Sequence, residues 1–428
     1  MGGIFAIQII DGPVPWIVFG VAGVAVLYLL VRTPTPRWVL TALLGILGGA
    51  VLGISFFALA NALNLFGSPL PKPIALWAIG AVAALGLAIV NLWSSRWWRK
   101  LIAACSVVVF LIAGGMGINA YYGLDRTIGA LFGESGAAPI DIAKPVDTDV
   151  PDATVPLYQS WTPPGDMPKV GKQGTQVIPT SGFDARPAGI YLPPAALVKN
   201  PPRLPFVLMM MGFPGNPDPQ YISKILGDYA AKHDGLAPVV IVADQIGTKG
   251  DPACADSAKY GAAETYITTD VVNWARSNLP ISSDPKLWTI AGYSNGGACA
   301  FKFAAQHPDT FQNLLVISGD EFPGVESEKD TTNDIFGGNS QKFEDSKPTN
   351  ILKANPGLYS EMTSVFTVGG SDPGFIPGME RNSQAAKTAG MNTTYFVVPG
   401  AGHVVDALEG GLGKGFEVLY PVLGLSKP

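Results

Sequence analysis

Residues 292–296 read Gly-Tyr-Ser-Asn-Gly. The serine sits between an apolar run, WTIA, and a run of small residues, GACAF. That is the pattern of a strand, a sharp turn and a helix, with a hydroxyl at the apex of the turn. Glycines on either side leave room for the turn, and the helix start directs free N–H groups and its positive dipole end at the apex. The chemistry this suits is nucleophilic attack by Ser294. A serine hydroxyl attacks well only when a neighbouring base takes its proton.

The chain has three histidines, His233, His307 and His403. In a strand–serine–helix arrangement the acid and then the histidine follow the nucleophile in the chain. His307 closes the helix that the serine opens, and about three turns of helix put it well over ~15 Å away. His403, in VVPGAGHVVD, lies in a glycine-rich loop after the last apolar run. It is the expected base. The expected acid is Asp372 in GGSDPGF, directly after the run SVFTV. It would hold the imidazole in one tautomer and stabilise the imidazolium. Asp320 and Glu321, in SGDEF after the preceding run, are rivals; Asp406 is too close to His403 in sequence to orient it.

Acyl chemistry also needs two donors for the oxyanion. The N–H of Asn295 is one. The loop MGFPGNP offers Phe213 first and Gly212 next, because Pro214 has no N–H. Glu264, Gly212 and Tyr293 are candidate substrate-binding residues. Glu264 would meet an amine or hydroxyl, or else simply favour the N-terminus of its own helix.

These residues need a scaffold that brings distant loops to one side. Apolar strand patterns, TQVIPT and AGIYLPP as a hairpin, then LPFVLMMM, APVVIVAD, LWTIAG, NLLVISG, SVFTVGG and TTYFVVPG, alternate with helical ones such as QYISKILGDYAAKH and AETYITTDVVNWARSNL. The alternation predicts an α/β-hydrolase domain, a mostly parallel sheet sandwiched by helices, with its chemistry at the carboxyl ends of the strands.

From about Gly174 onward the chain resembles the bacterial esterase family that includes esterase-D-like enzymes and the antigen-85 mycolyltransferases. The resemblance rests on GFPGNP, CADSAKYGAAETYITTDVVNWARSNL, AGYSNGGACAFKFAAQHPDTF, GGSDPGF and GAGHVVD. It implies a serine hydrolase acting on cell-envelope esters. Two departures stand out. The mycolyltransferases are exported without an apolar front end such as this one, and their acid is a glutamate where this chain has Asp372.

The front end is built for another solvent. Four near-chargeless stretches, 15–31, 38–63, 74–93 and 101–121, are each long enough to cross a hydrocarbon core of roughly 30 Å as a helix. Arg32 and Arg37 lie in the first loop, Arg96, Arg99 and Lys100 in the third, and only Lys72 in the second. The basic loops belong on the cytoplasmic side, which puts the N-terminus and everything after the fourth stretch outside. Asn61, Asn64 and Asn91 lie near helix ends and read as interfacial. The expected organisation is a four-helix transmembrane anchor (1–121), a Pro/Gly-rich linker (122–173) and an extracytoplasmic α/β-hydrolase domain (174–428). In that setting Cys254 and Cys299 are expected to form a disulfide.

The net charge of −5 argues against a nucleic-acid partner, whose phosphates would need neutralising. No cysteine–histidine cluster suggests a metal, and no cofactor is expected. The chain therefore reads as a membrane-anchored serine esterase whose partners are the membrane and a lipid or cell-envelope ester. Two alternatives remain open: an acyltransferase with a sugar or lipid hydroxyl as acceptor, and a catalytically silent membrane-bound binding module.

Overall fold

The computed structural model describes residues 4–63, 70–93, 95–132, 137–142 and 155–428. The chain divides into two compact units, Met1–Phe132 and Gly133–Pro428.

The first unit contains helices α1 (Pro13–Leu30), α2 (Pro36–Ala62), α3 (Lys72–Val90) and α4 (Trp97–Tyr122), all long and apolar enough to cross a membrane. Proline within the first turn starts α1, α2 and α3, where the missing N–H costs nothing. In an apolar solvent, helices associate through close backbone approach. Here α2 and α3 meet at glycines: a Cβ on Gly49 would lie 2.3 Å from the Val82 carbonyl oxygen, and one on Gly86 2.0 Å from that of Gly45. Leucines such as Leu40, Leu44, Leu47 and Leu52 point outward.

Asn91 departs from its expected interfacial role. It is fully buried, donates to the Leu87 carbonyl and accepts from Arg99 Nε at 2.7 Å. Arg99 in turn donates to the carbonyls of Tyr28, Leu29 and Val31, which the end of α1 leaves without helical partners. Asn61 accepts from the Leu70 N–H. Asn64 lies outside the described residues.

In the second unit, eight described strands form one sheet. They are β1 (Lys172–Gln176), β2 (Ala188–Leu192), β3 (Phe206–Met210), β4 (Val239–Ala243), β5 (Trp288–Tyr293), β6 (Asn313–Ile317), β7 (Thr363–Gly369) and β8 (Asn392–Val398). The order is β1-β2-β4-β3-β5-β6-β7-β8. Only β2 runs against the rest. This is the α/β-hydrolase fold. The central strands β3 to β6 are buried along their whole length, as helices on both faces require. The first strand is KQGTQ, slightly earlier than TQVIPT, because the apolar Val177 and Ile178 fall beyond its pairing with β2.

The stretch read as a linker is shorter than its composition suggests. Residues up to Phe132 stay with the helical unit: Arg126 pairs with Asp11, and Thr127 bridges to Gln8. Residues 137–142 run beside β1, where Ile140 is buried and its N–H donates to the Thr175 carbonyl. Leu157–Ser160 form a helical turn with Leu157 buried. Proline and glycine keep these pieces out of long elements without keeping them off the domain surface. The remainder of that stretch, 143–154, lies outside the described residues.

Cys254 and Cys299 are joined in a disulfide with a Cα–Cα distance of 5.4 Å. The bridge closes a sequence separation of 45 residues, a loop whose restriction in the unfolded chain is worth about 4 kcal/mol. It pins the loop after β4 to the helix that follows β5.

Candidate active site

The turn after β5 fulfils its sequence pattern in detail. Ser294 has φ 55° and ψ −124°, outside the ordinary regions for an L-residue, and the helix Asn295–Gln306 starts directly after it. The turn closes so tightly that a Cβ on Gly292 would lie 1.9 Å from the Gly296 carbonyl oxygen. A Cβ on Gly296 would lie 2.4 Å from the Met210 carbonyl oxygen. Glycine at both positions is therefore a steric necessity. The Ser294 N–H donates to the Ile317 carbonyl of β6, and the Ser294 carbonyl accepts from Gly297 and Ala298.

His403 and Asp372 arrive from neighbouring strand ends. β7 and β8 pair in parallel up to Gly369 and Val398. Beyond them, Gly370 N–H donates to the Val398 carbonyl and Ser371 N–H to the Ala401 carbonyl. The acid loop and the histidine loop are thus laced together by backbone. His403 Nδ1 lies 2.8 Å from Asp372 Oδ2, and His403 Nε2 lies 2.8 Å from Ser294 Oγ. The Asp372 side chain is 7% exposed and that of His403 26%. A nearly buried carboxylate backs an imidazole whose far nitrogen reaches the hydroxyl. This arrangement can draw a proton from Ser294.

Gly212 lies against the serine: a Cβ there would meet Ser294 Cβ at 3.1 Å. The next residue, Phe213, is exposed. Four hydrogen bonds hold this loop. The Met211 carbonyl accepts from Gly296 N–H and from Gln245 Nε2. Arg186 grips Asp244 with two nitrogens, at 2.7 and 3.0 Å, and reaches the Gly215 carbonyl and Asn216 Oδ1. Asn295 opens the helix, so its N–H has no acceptor within that helix. Its side chain accepts from Gln245 and donates to Asp251.

Two expectations need correction. Tyr293 is 1% exposed, with its ring 5.2 Å from that of His403, so it is packed inside the domain beside the imidazole and is not displayed at the surface as a substrate contact would be. Glu264 is committed internally. It accepts from Lys302 Nζ at 2.8 Å and from Gln306 Nε2 at 3.0 Å. Burial pushes the Lys302 ammonium down, and Glu264 opposes that shift. A buried lysine needs this partner, which nothing near Glu264 in sequence reveals.

The rival acids have other occupations. Glu321 forms an ion pair with Arg381. Asp320 is buried beside the site, sharing a hydrogen bond with Glu326. Burial, then the charges of Glu326, Asp251 and Asp372, hold its carboxyl well above the usual range. Burial also pushes Asp251 up to about 6, helped by Glu326 and opposed by the Ala253 N–H and the Asn295 side chain.

A model of the family described as Putative esterase matches residues 184–395. An uncharacterized protein of Corynebacterium glutamicum is 30% identical over 365 residues, covering 82% of this chain and 82% of the relative. The chain belongs to this esterase family. Two solved structures align with the esterase. A ferulic acid esterase is 15% identical, with a TM-score of 0.49, over 59% of this chain and 99% of that one. An S-formylglutathione hydrolase from Agrobacterium tumefaciens is also 15% identical, with a TM-score of 0.49, over 60% and 98%.

The raised Asp251 makes a prediction for the esterase's stability. Its carboxyl moves from an ordinary 3.8 in the unfolded chain to about 6 in the fold. The folded state therefore keeps a proton that the unfolded chain releases between those values, and stability falls as pH rises through that window. Asp251→Asn should flatten the decline by up to roughly 3 kcal/mol, read by urea unfolding from pH 4 to 7.

Proposed function

We propose that the esterase is a serine carboxylester hydrolase working through an acyl-enzyme on a lipid or cell-envelope ester. The observation that carries this reading is the unbroken line of hydrogen bonds Asp372–His403–Ser294. Ser294 Oγ attacks the ester carbon while its proton passes to His403 Nε2. Asp372 stabilises the imidazolium. The N–H groups of Asn295 and Phe213 receive the oxyanion. His403 returns the proton to the departing alcohol; it then takes one from the water that attacks the acyl carbon and passes it to Ser294 Oγ as the C–Oγ bond breaks and the carboxylic acid leaves. Transfer to a sugar or lipid hydroxyl would use the same acyl-enzyme with another acceptor in place of water.

The four apolar helices are the anchor in this proposal, and the catalytic unit lies outside the cytoplasm. The basic first and third loops support that orientation. So does the Cys254–Cys299 disulfide, which persists in oxidising compartments.

With p-nitrophenyl butyrate, Ser294→Ala and His403→Ala should each lower kcat by on the order of 10⁵–10⁶, and Asp372→Asn by about 10⁴. Full activity in Ser294→Ala would end the proposal. Comparing p-nitrophenol release with free butyrate, with and without an added alcohol, separates hydrolysis from transfer.

Orientation is testable in whole cells. In a Cys105→Ala background, a membrane-impermeant maleimide should label Lys427→Cys in intact cells and Ser95→Cys only after permeabilisation. The reverse pattern would invert the topology.

A further inference from the structure

A proton shuttle works only if the imidazole stays aimed at both partners. Two hydrogen bonds fix the positions of its nitrogens but leave the ring free to rock about the line joining them. Something must therefore hold its faces. In this structure the ring of Phe375 lies 3.8 Å from that of His403, centre to centre, at an interplanar angle of 15°. This is face-on contact, tighter than the ~4.5–7 Å usual between aromatic rings. Tyr293 lies nearly parallel to the same imidazole, at 5.2 Å and 21°.

The placement of Phe375 follows from the backbone. Asp372, Pro373, Gly374 and Phe375 form one turn, in which Phe375 N–H donates to the Asp372 carbonyl at 3.2 Å. Ile376 N–H donates to the same carbonyl, also at 3.2 Å, and the helix Ile376–Thr388 begins there. A single turn thus delivers both the carboxylate that accepts from Nδ1 and the ring that covers a face of the imidazole. Asp372 is buried, whereas Phe375 is only partly so.

We infer that Phe375 is a positioning residue for the base. Its ring holds the His403 imidazole in the plane that joins Asp372 to Ser294, and it offers a π face to the imidazolium formed when Ser294 gives up its proton. A cation over an aromatic face is attracted within about 6 Å of the ring centroid. The contact is therefore worth more once the proton has moved than before. It should be felt in kcat, not in substrate binding. This inference rests on the triad proposed above.

The test uses the full-length protein in detergent with p-nitrophenyl butyrate. Phe375→Leu keeps an apolar side chain but removes the flat face. It should lower kcat by roughly tenfold to a hundredfold with KM changed by less than about twofold. Phe375→Tyr keeps the face and should retain kcat within about threefold. A thermal midpoint for Phe375→Leu within a few degrees of wild type shows that the fold is kept; if that variant does not fold, Phe375→Met takes its place. A kcat for the flat-face-deleted variant within about twofold of wild type would overturn the inference, as would equal impairment of Phe375→Tyr or a loss carried by KM. Ser294→Ala run alongside distinguishes the two levels. If it is inactive while Phe375→Leu is normal, only the positioning role fails; if it is active, the triad fails.

Discussion

The catalytic unit depends on holding one residue where it would not choose to be. Ser294 has a positive φ, 55°, which costs an L-residue on the order of 1–3 kcal/mol and persists only when its surroundings over-determine it. Here they do. β5 is paired on both sides, the serine's own N–H is held by β6, and the glycine contacts on either side leave no space for a relaxed turn. Among the described residues, three of the four other non-glycine positions with positive φ follow the carboxyl ends of strands, as Ser294 does; the fourth, Asp234, precedes β4. Ser318 follows β6, and Ala253 and Cys254 lie in the loop after β4. The disulfide then ties that loop to the nucleophile's helix. Strain is concentrated where the chemistry is proposed, and the buried sheet behind it bears the cost.

Around the serine, each partner is held by something other than itself. The acid and histidine loops share backbone hydrogen bonds, so Asp372 and His403 cannot drift apart independently. Gln245 touches both Met211 and Asn295, joining the two elements proposed to supply oxyanion donors. Arg186 holds the far end of the same loop. Asp251, half-buried, and Asp320, buried, add carboxyls close by, both with raised proton affinity. These hydrogen bonds tie the loops around the serine to one another, the kind of preorganisation on which electrostatic catalysis relies.

What could be read in the sequence was whatever local pattern determines. The elbow needs glycines at fixed offsets, the strands need unbroken apolar runs, and the scarcity of histidine left one base. Ser294, His403 and Asp372 were therefore legible before any coordinates, and the structure brings them within hydrogen-bonding distance. Tertiary contacts were not legible. Glu264 looked available because its partner Lys302 is far along the chain. Tyr293 looked like a substrate contact because the pattern does not tell which way a residue beside the elbow points. Asn91 looked interfacial because its partner Arg99 lies beyond the end of its own helix, in the next one. Gln245, Arg186 and Phe375 carry no motif; only the meeting of separate loops gives them roles. The linker was overdrawn because proline-rich composition rules out long elements, not contact with an edge strand.

The central claim is that Ser294 is the nucleophile and that the Asn295 and Phe213 N–H groups receive the oxyanion. The most direct measurement is the structure of the protein after reaction with a fluorophosphonate. The account predicts one phosphorus atom bonded to Ser294 Oγ, with its phosphoryl oxygen between those two N–H groups, at roughly 2.7–3.1 Å from each. Phosphorus on another residue, or a phosphoryl oxygen turned to solvent away from both donors, would contradict it.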